Sequence, residues 1–276
     1  MNAAAALDQA AEEFARAGVD TPEVDAKWLL AHVLDVSRSG LGAAPSRELS
    51  TEEERSFRSL LERRVRREPL AYVLGEWGFR RLTLALDPRA LVPRPETETV
   101  VERCLAVLAD VVQPRVLDVG VGSGAIALAI ADEHPSAHVI GVDSSEAALA
   151  LAEENRNRTG VDGRVRLVHG DLLEGVEGRF DLVVSNPPYV GADEWERLQP
   201  EIRLYEPRAA LVGTGVAEAI ARDARPLLVS GGRIVLEAGD GQAAELAATI
   251  EELGYVEATI TRDLTGRERV VDGRQP

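Results

Sequence analysis

Apolar residues recur at helical spacing across residues 1–72. In "TPEVDAKWLLAHVL", Thr21 stands at a helix N-cap and is followed by proline, which favours the first helical position. In "STEEERSFRSLLERRV", Ser50 and Glu53 have the spacing of a capping box ahead of an apolar face. The pattern predicts a small N-terminal helical-bundle domain over these residues.

The pattern changes in "GEWGFRRLTLALDPRALVPRP", which predicts a β-hairpin and a proline-stiffened linker over residues 73–95. From residue 96 to 276, helical stretches alternate with the strands "RVLDVG", "HVIGVD", "RVRLVHGD", "FDLVVSN" and "GRIVLEAG". This alternation predicts an α/β domain with a parallel sheet covered on both faces. The C-terminal stretch adds two strand-like runs about a polar turn, which fit an antiparallel pair at the sheet edge.

A glycine-rich loop follows the first of these strands. In "LDVGVGSGAIALAIA", Gly120, Gly122 and Gly124 stand between a strand and a helix, where a missing side chain lets the backbone approach a ligand. Asp143 ends the next strand about 20 residues on, where an acid can bind ribose hydroxyls. The two features together favour a nucleotide-like ligand, and a tight turn with helix-capping residues is the alternative.

The fourth strand ends in "SNPPY". Pro187 and Pro188 cannot continue a strand ladder, so they stiffen the chain and leave carbonyl groups free to accept hydrogen bonds. The Asn186 side-chain carbonyl and the Pro187 backbone carbonyl could hold both hydrogens of a planar NH₂ group. The Tyr189 ring would pack against the flat face of that group. Such an arrangement would aim the nitrogen lone pair at a methyl donor. A strand-ending turn is the alternative.

Charge argues against a nucleic-acid substrate. The net charge is −16, whereas non-specific nucleic-acid binding depends on Lys and Arg. One basic cluster, "ERRVRR", contains Arg63, Arg64, Arg66 and Arg67. We interpret this cluster as a solvated helix face, with a docking patch for a partner as the alternative.

Other residue classes exclude further functions. The single cysteine, Cys104, lies in a stretch with helical periodicity and is interpreted as a core residue. The four histidines suggest no metal site, so no metal is expected. No apolar run reaches the roughly 18 residues of a membrane span, and the N-terminal stretch lacks the basic start of a signal peptide. We therefore expect a cytoplasmic protein without a membrane partner.

The motifs taken together resemble the HemK/PrmC family of protein-glutamine methyltransferases. The resemblance rests on "LVPRPETE", "LDVGVGSGAIALA" and "SNPPY", and it extends from "DAKWLLAHVL" to "RDLTGRERVV". It implies a seven-stranded, doubly wound S-adenosylmethionine-dependent methyltransferase fold with an N-terminal helical domain. We interpret this helical domain as a docking platform for the protein substrate, with a lid that only stabilises the core as the alternative. The resemblance also implies methyl transfer from S-adenosyl-L-methionine to the glutamine of the Gly-Gly-Gln motif in class 1 peptide chain release factors.

The resemblance implies roles for individual residues. Cofactor contacts would come from Gly120, Val121, Gly122, Ser123, Gly124, Asp143, Asp171, Leu172 and Asn186. Within this set, Asp171 and Leu172 would border the adenine. Substrate contacts would come from Asn186, Pro187, Pro188 and Tyr189, of which Asn186 and Pro187 are the catalytic pair. Val121 stands where a threonine is more frequent, and Leu172 where an aromatic residue sometimes packs on adenine.

Alternatives remain open at this level. "NPPY" is shared by enzymes that methylate the exocyclic amine of adenine, although the negative charge opposes them. A related family methylates a glutamine of a ribosomal protein, but "PRSP" is expected there in place of the "PRPE" that starts at Pro93. A nicotinamide oxidoreductase would share the glycine loop without needing the prolines. A non-catalytic cofactor-binding protein would need no NH₂ anchor.

Overall fold

The structure is a computed structural model that describes residues 1–42, 45–161 and 163–276. It divides into two compact units. The smaller comprises Met1–Glu76 together with Gln199–Tyr205, and the larger comprises Trp77–Leu198 together with Glu206–Pro276. One short segment beyond Leu198 therefore belongs with the N-terminal helices, which the sequence analysis did not anticipate.

The helices are α1 (Ala3–Arg16), α2 (Pro22–Leu34), α3 (Arg38–Leu41), α4 (Thr51–Val65), α5 (Leu70–Leu74), α6 (Pro95–Leu108), α7 (Ala125–Glu133), α8 (Glu146–Thr159), α9 (Pro200–Tyr205), α10 (Val216–Ala224) and α11 (Ala243–Glu252). The strands are β1 (Glu76–Phe79), β2 (Leu82–Ala85), β3 (Arg115–Val119), β4 (His138–Asp143), β5 (Val165–His169), β6 (Phe180–Ser185), β7 (Leu228–Glu237), β8 (Val256–Arg262) and β9 (Glu268–Arg274).

The smaller unit is a bundle of α1, α2, α4 and shorter helices. The predicted capping box is confirmed at the start of α4, because the Glu53 backbone N–H donates to Ser50 Oγ and the Ser50 N–H donates to Glu53 Oε2. These two bonds satisfy donors that a helix start would otherwise leave unpaired. The core of the bundle consists of large apolar side chains from three helices, including Phe14, Leu29, Leu30, Phe57 and Leu61.

The basic cluster at the end of α4 is not a solvated face, so that interpretation was wrong. Arg64 is only 5% exposed, and its guanidinium donates to Asp25 Oδ2 at 2.7 Å and to Glu201 Oε1 at 2.9 Å. Arg67 donates to both Glu201 oxygens at 2.6 Å. The guanidinium groups can be buried because carboxylates from distant parts of the chain neutralise them. Arg66 alone of the four is exposed.

The larger unit is built on a seven-stranded sheet in the order β5-β4-β3-β6-β7-β9-β8. The first five of these strands are parallel, whereas β9 is antiparallel to both β7 and β8. This arrangement confirms the predicted doubly wound α/β fold and the antiparallel pair at its edge. The predicted hairpin is also present, as the separate two-stranded sheet of β1 and β2.

Helices cover both faces of the sheet. Successive residues of a strand point to opposite faces, and in β3 Val116 enters the core under α6 and α7 whereas Leu117 enters the core under α10 and α11. Cys104 of α6 lies fully buried in the first of these cores, as its sequence context predicted. With both faces filled by apolar side chains, the carboxyl edge of the sheet is left for polar chemistry.

Candidate functional site

The strand register places the predicted site residues along one edge of the sheet. Val119, the last residue of β3, pairs with Val142 of β4 and with Ser185 of β6. The glycine loop follows β3, Asp143 ends β4 and Asn186 follows β6, so the three lie at neighbouring strand ends. Asp143 in turn pairs with His169, the last residue of β5, after which come Asp171 and Leu172. The fold brings together at one edge the segments that the sequence analysis selected.

The glycine loop turns back on itself over the end of β4. The backbone N–H groups of Gly120 and Val121 both donate to the Val142 carbonyl, at 2.8 and 2.9 Å. Gly120 has φ 76°, a left-handed conformation that glycine adopts without strain. A Cβ at Gly120 would have no heavy atom of the described chain within 4 Å. The loop therefore borders open space, which a ligand can occupy.

Gly124 is required for a different reason. It also has a left-handed conformation, with φ 87°, but a Cβ there would lie 2.9 Å from Leu128 Cδ1. Val121 likewise faces inward, since its side chain is 4% exposed and packs against Gly141. The side chain at position 121 thus belongs to the core, and only its backbone contributes to the loop surface.

Asp143 holds the glycine loop as well as ending β4. Its Oδ2 accepts from the Gly122 backbone N–H at 2.8 Å, and its Oδ1 accepts from the Ser145 N–H at 2.9 Å. An ionised carboxylate has about four lone-pair sites, so each oxygen can accept a further hydrogen bond from a hydroxyl group. The carboxylate fixes the loop and keeps acceptor capacity.

Asn155 is a support that sequence reasoning missed. Its side chain is fully buried in α8, and Nδ2 donates to the carbonyls of Ser123 and Ala85 at 2.9 and 3.1 Å. Its Oδ1 accepts from the Ala85 backbone N–H. The amide therefore joins the glycine loop to strand β2. An asparagine inside a helical stretch was the only available signal, and its partners lie too far along the chain to be inferred.

Asp118, also missed, lies beneath the loop within β3. It is fully buried, and its Oδ2 accepts from the Ala127 backbone N–H at 3.0 Å. Its Oδ1 has no hydrogen-bond partner among the described residues. Burial raises the pKa of this carboxyl to about 7, because desolvation disfavours the charged form.

The loop after β5 contains a backbone outlier. Leu172 is half-buried and has φ 50°, which is uncommon for a residue with a branched side chain. Asp171 beside it is exposed, and its carbonyl accepts from the Glu174 N–H. The turn presents both residues at the sheet edge next to Asp143, where the sequence analysis expected the adenine ring to be bordered.

The "SNPPY" segment leaves the sheet through a fixed path. Ser185 Oγ donates to the Val119 carbonyl at 2.6 Å, and the carbonyl of Tyr189 accepts from Gln242 Nε2 at 3.2 Å. Asn186 Oδ1 and the Pro187 carbonyl accept no hydrogen bond from the part of the chain that the structure describes. Both acceptors that were expected to hold an NH₂ group are therefore available.

A buried polar chain lies behind Asn186. Its Nδ2 donates to Thr97 Oγ1 at 3.2 Å, and Thr97 Oγ1 donates to Glu237 Oε2 at 2.7 Å. Burial raises the pKa of Glu237 to about 7, against the opposing effects of Thr97 and Arg269. Neither Thr97 nor Glu237 was selected from the sequence, although "LVPRPETE" and the strand end "IVLE" contain them.

Tyr189 contributes an uncharged aromatic ring to this site. Its hydroxyl donates to Glu237 Oε1 over a long 3.5 Å. Burial, and then the nearby Glu237, raise the pKa of Tyr189 to about 12. The phenol therefore keeps its proton near neutral pH and offers a flat, uncharged face.

No metal centre is found in the described ranges, where no group of three His, Cys, Asp or Glu side chains could hold an ion. His134 and His138 are four residues apart in sequence, but they lie on different elements, at the end of α7 and the start of β4.

Two family models match the chain: one described as the PrmC N-terminal domain over residues 5–75, and one described as the methyltransferase small domain over residues 100–201. The release factor glutamine methyltransferase of Deinococcus radiodurans is 43% identical over 275 residues, covering 98% of this chain and 97% of the relative. That of Caulobacter vibrioides is 38% identical over 262 residues, covering 93% and 91%. This chain belongs to the release factor glutamine methyltransferase family.

Solved structures show the same fold in more distant proteins. A methyltransferase from Pyrococcus furiosus aligns with a TM-score of 0.52 at 20% identity, over 80% of this chain and 98% of that one. The T. thermophilus 16S rRNA methyltransferase RsmC, solved with AdoMet and guanosine, aligns with a TM-score of 0.54 at 19% identity, over 73% and 50%. These likenesses confirm the methyltransferase fold of this family member. Among the described residues, every helix lacks either the length or the apolar character that a membrane span needs.

Proposed function

We propose that this protein transfers a methyl group from S-adenosyl-L-methionine to the side-chain amide nitrogen of the glutamine in the Gly-Gly-Gln motif of class 1 peptide chain release factors. The observation that carries the proposal is a pair of acceptors, Asn186 Oδ1 and the Pro187 carbonyl, that accept no hydrogen bond from the described residues and lie one strand away from the glycine loop. The names of the relatives support the choice of a release factor as substrate.

The residues at the sheet edge fit a bound S-adenosylmethionine. Open space beside Gly120 leaves room for the cofactor next to the loop backbone. Asp143 retains lone pairs for the two ribose hydroxyls, and Asp171 and Leu172 border the place proposed for adenine. When bound, this cofactor supplies an electrophilic methyl group on a sulfonium sulfur.

The protein's own contribution to the reaction is orientation and polarisation. An amide nitrogen is a poor nucleophile because its lone pair is delocalised into the carbonyl. Two acceptors that hold both N–H hydrogens fix the nitrogen in place and stabilise the positive charge that develops on it. Tyr189 and Pro188 confine the flat group. The acceptors are carbonyl oxygens, not bases, so the proton leaves to solvent once the nitrogen carries the methyl group.

We further propose that the N-terminal helical domain docks the release factor. The sheet edge itself provides recognition for one amide group, whereas a protein substrate needs a larger surface. In standard complexes each partner buries about 800 Å². A separate compact helical unit fits that need.

The same anchor would accept other NH₂ groups, such as another protein glutamine or the exocyclic amine of adenine. The net charge of −16 disfavours the adenine of a nucleic acid, because phosphate binding depends on positive charge. Direct nucleic-acid binding is therefore not part of the proposed function.

The test is a methylation assay with labelled cofactor. The purified protein is incubated separately with a class 1 release factor, with large-subunit ribosomal proteins and with DNA or RNA, and labelled products are mapped by mass spectrometry. We expect the label on the Gly-Gly-Gln glutamine and its loss when that glutamine is replaced by glutamate. Label on nucleic acid or on a ribosomal protein alone would overturn the substrate assignment.

A further inference from the structure

The orientation of the Asn186 amide decides what the site can hold. The oxygen and NH₂ ends of an asparagine side chain have nearly the same shape, and a half-turn exchanges them. With Oδ1 toward the substrate, Asn186 accepts a hydrogen from an NH₂ group. With Nδ2 toward the substrate, it would repel that group and favour a carbonyl oxygen instead.

The substrate has the same ambiguity. A glutamine amide can enter with its nitrogen or with its oxygen foremost, and only the nitrogen-first mode can be methylated on nitrogen. An acceptor at position 186 selects the nitrogen, whereas a donor there selects the oxygen. Something in the protein must therefore fix which end of Asn186 faces outward.

Thr97 and Glu237 form the chain that makes this choice. The Thr97 hydroxyl has a single hydrogen, which it donates to Glu237 Oε2 at 2.7 Å. Oε2 can accept this hydrogen when the carboxyl is ionised and also when its proton is on Oε1. Thr97 Oγ1 therefore meets Asn186 as an acceptor and takes a hydrogen from Nδ2 at 3.2 Å. In the reversed orientation Asn186 Oδ1 would face the lone pairs of Thr97 Oγ1, so Thr97 Oγ1 would lose its donor and two acceptors would stand against each other.

Burial makes the preference strong. Thr97 is 3% exposed and Glu237 is 1% exposed, so water has little access to replace a lost partner. An unpaired polar group in such a place is costly. Arg269 and Tyr189 also face Glu237, but the hydroxyl of Tyr189 lies at 3.5 Å, so the short bond from Thr97 is the one that orders the chain.

We propose that Thr97 and Glu237 are positioning residues that fix the Asn186 amide with its carbonyl oxygen toward the substrate, and so select the nitrogen end of the substrate amide. The proposal rests on the proposed function of Asn186 as the NH₂ anchor. Neither residue touches the substrate, and both act through Asn186.

The test is a double-mutant cycle on the full-length protein, read as single-turnover methyl transfer at saturating release factor. Thr97→Val removes the hydroxyl at nearly constant volume, and we expect transfer to slow by about 10-fold to 100-fold. Thr97→Ser restores the hydroxyl and should stay within about 3-fold of wild type. Thr99→Val, on the same helix, is the matched control and should leave the rate unchanged. Affinity for S-adenosylmethionine, measured by calorimetry, should not change in any of them.

The double-mutant cycle distinguishes a role of Thr97 in positioning Asn186 from a general role of Thr97 in the stability of the site. In an Asn186→Ala background, Thr97→Val should slow transfer by no more than about 3-fold further, because the group that Thr97 orients is gone. Full additivity, failure of Thr97→Ser to restore the rate, or a wild-type rate in Thr97→Val would overturn the inference. If Thr97→Val does not fold, Thr97→Ala takes its place in the cycle. Wild-type protein that does not methylate the release factor would instead refute the proposed function, before any variant is compared.

Discussion

Asn186 makes its described side-chain hydrogen bond through Nδ2, to Thr97, and leaves Oδ1 available. Asn186→Ala removes one of the two proposed acceptors for the substrate NH₂ group. Loss of one such preorganised hydrogen bond costs on the order of 10²-fold to 10³-fold in rate. We expect single-turnover transfer to fall by that factor while cofactor affinity changes less. Transfer within a few-fold of wild type would mean that the motif is only a strand-ending turn.

A second prediction for a single residue concerns Asp143. Its carboxylate is proposed to accept the ribose hydroxyls, and it already accepts from Gly122 and Ser145. Asp143→Ala should weaken S-adenosylmethionine binding by roughly 1.5 to 3 kcal/mol, the range for hydrogen bonds to a charged group. It should also lower the melting temperature of the cofactor-free protein, since the loop loses its anchor.

The control for Asp143 is Asp143→Asn, which keeps one carbonyl acceptor. Calorimetry should place its affinity between those of wild type and Asp143→Ala. Unchanged affinity in Asp143→Ala would remove this residue from the cofactor site.

At the scale of elements, α4 and α9 are joined by buried ion pairs. Arg64 of α4 binds Asp25 of α2 and Glu201 of α9, and its side chain is only 7% exposed. Removing one member of a buried pair leaves the others without a counter-charge, which costs about 3 to 5 kcal/mol. Arg64→Ala should therefore lower the free energy of unfolding by an amount of that order, as measured by urea denaturation.

Arg66, two residues along the same chain, provides the matched control. It is exposed, so Arg66→Ala should change the free energy of unfolding by no more than about 0.5 kcal/mol. Equal stabilities for the two variants would contradict the structural role of Arg64 and would revive the solvated face that the sequence suggested.

Arg64 is buried and Arg66 is exposed, although both received the same interpretation from the sequence, and this difference shows which features a sequence can predict. The strands, the glycine loop, the hairpin and the cap at Ser50 follow local patterns of polarity and turn chemistry, and the structure has them all. The burial of Arg64 depends on its ion pair with Glu201, and the orientation of the Thr97 hydroxyl depends on Glu237. Each partner lies more than 130 residues away in sequence. No local sequence pattern indicates such long-range pairings, so both pairings were missed.

At the scale of the whole molecule, a net charge of −16 coexists with buried carboxyl groups. Burial raises the pKa of Asp118 from 3.8 to about 7 and that of Glu237 from 4.5 to about 7. Between the unfolded and folded pKa values such a group binds more protons in the folded state. Its contribution to the free energy of unfolding therefore falls as pH rises from about 4 to about 7. Each group accounts for at most about 3 to 4 kcal/mol.

Carboxylates bound to arginine act in the opposite direction. Arg80 holds the pKa of Glu133 below its usual range, so the stability from this pair is lost as the pH falls below about 4. Mutual repulsion among the excess negative charges also grows as the pH rises. Acting together, these effects place the stability maximum on the acidic side of neutrality but above about pH 4.

We therefore expect the free energy of unfolding, measured by urea denaturation at constant ionic strength, to be higher at about pH 5.5 than at pH 8. Asp118→Asn keeps an acceptor for the Ala127 N–H but cannot ionise, so it should flatten this decline. Asp110→Asn changes an exposed carboxyl and should leave the decline as it is. Parallel pH profiles for wild type and Asp118→Asn would show that Asp118 does not take up its proton on folding, and the buried acid beneath the glycine loop would then be ionised in the native protein.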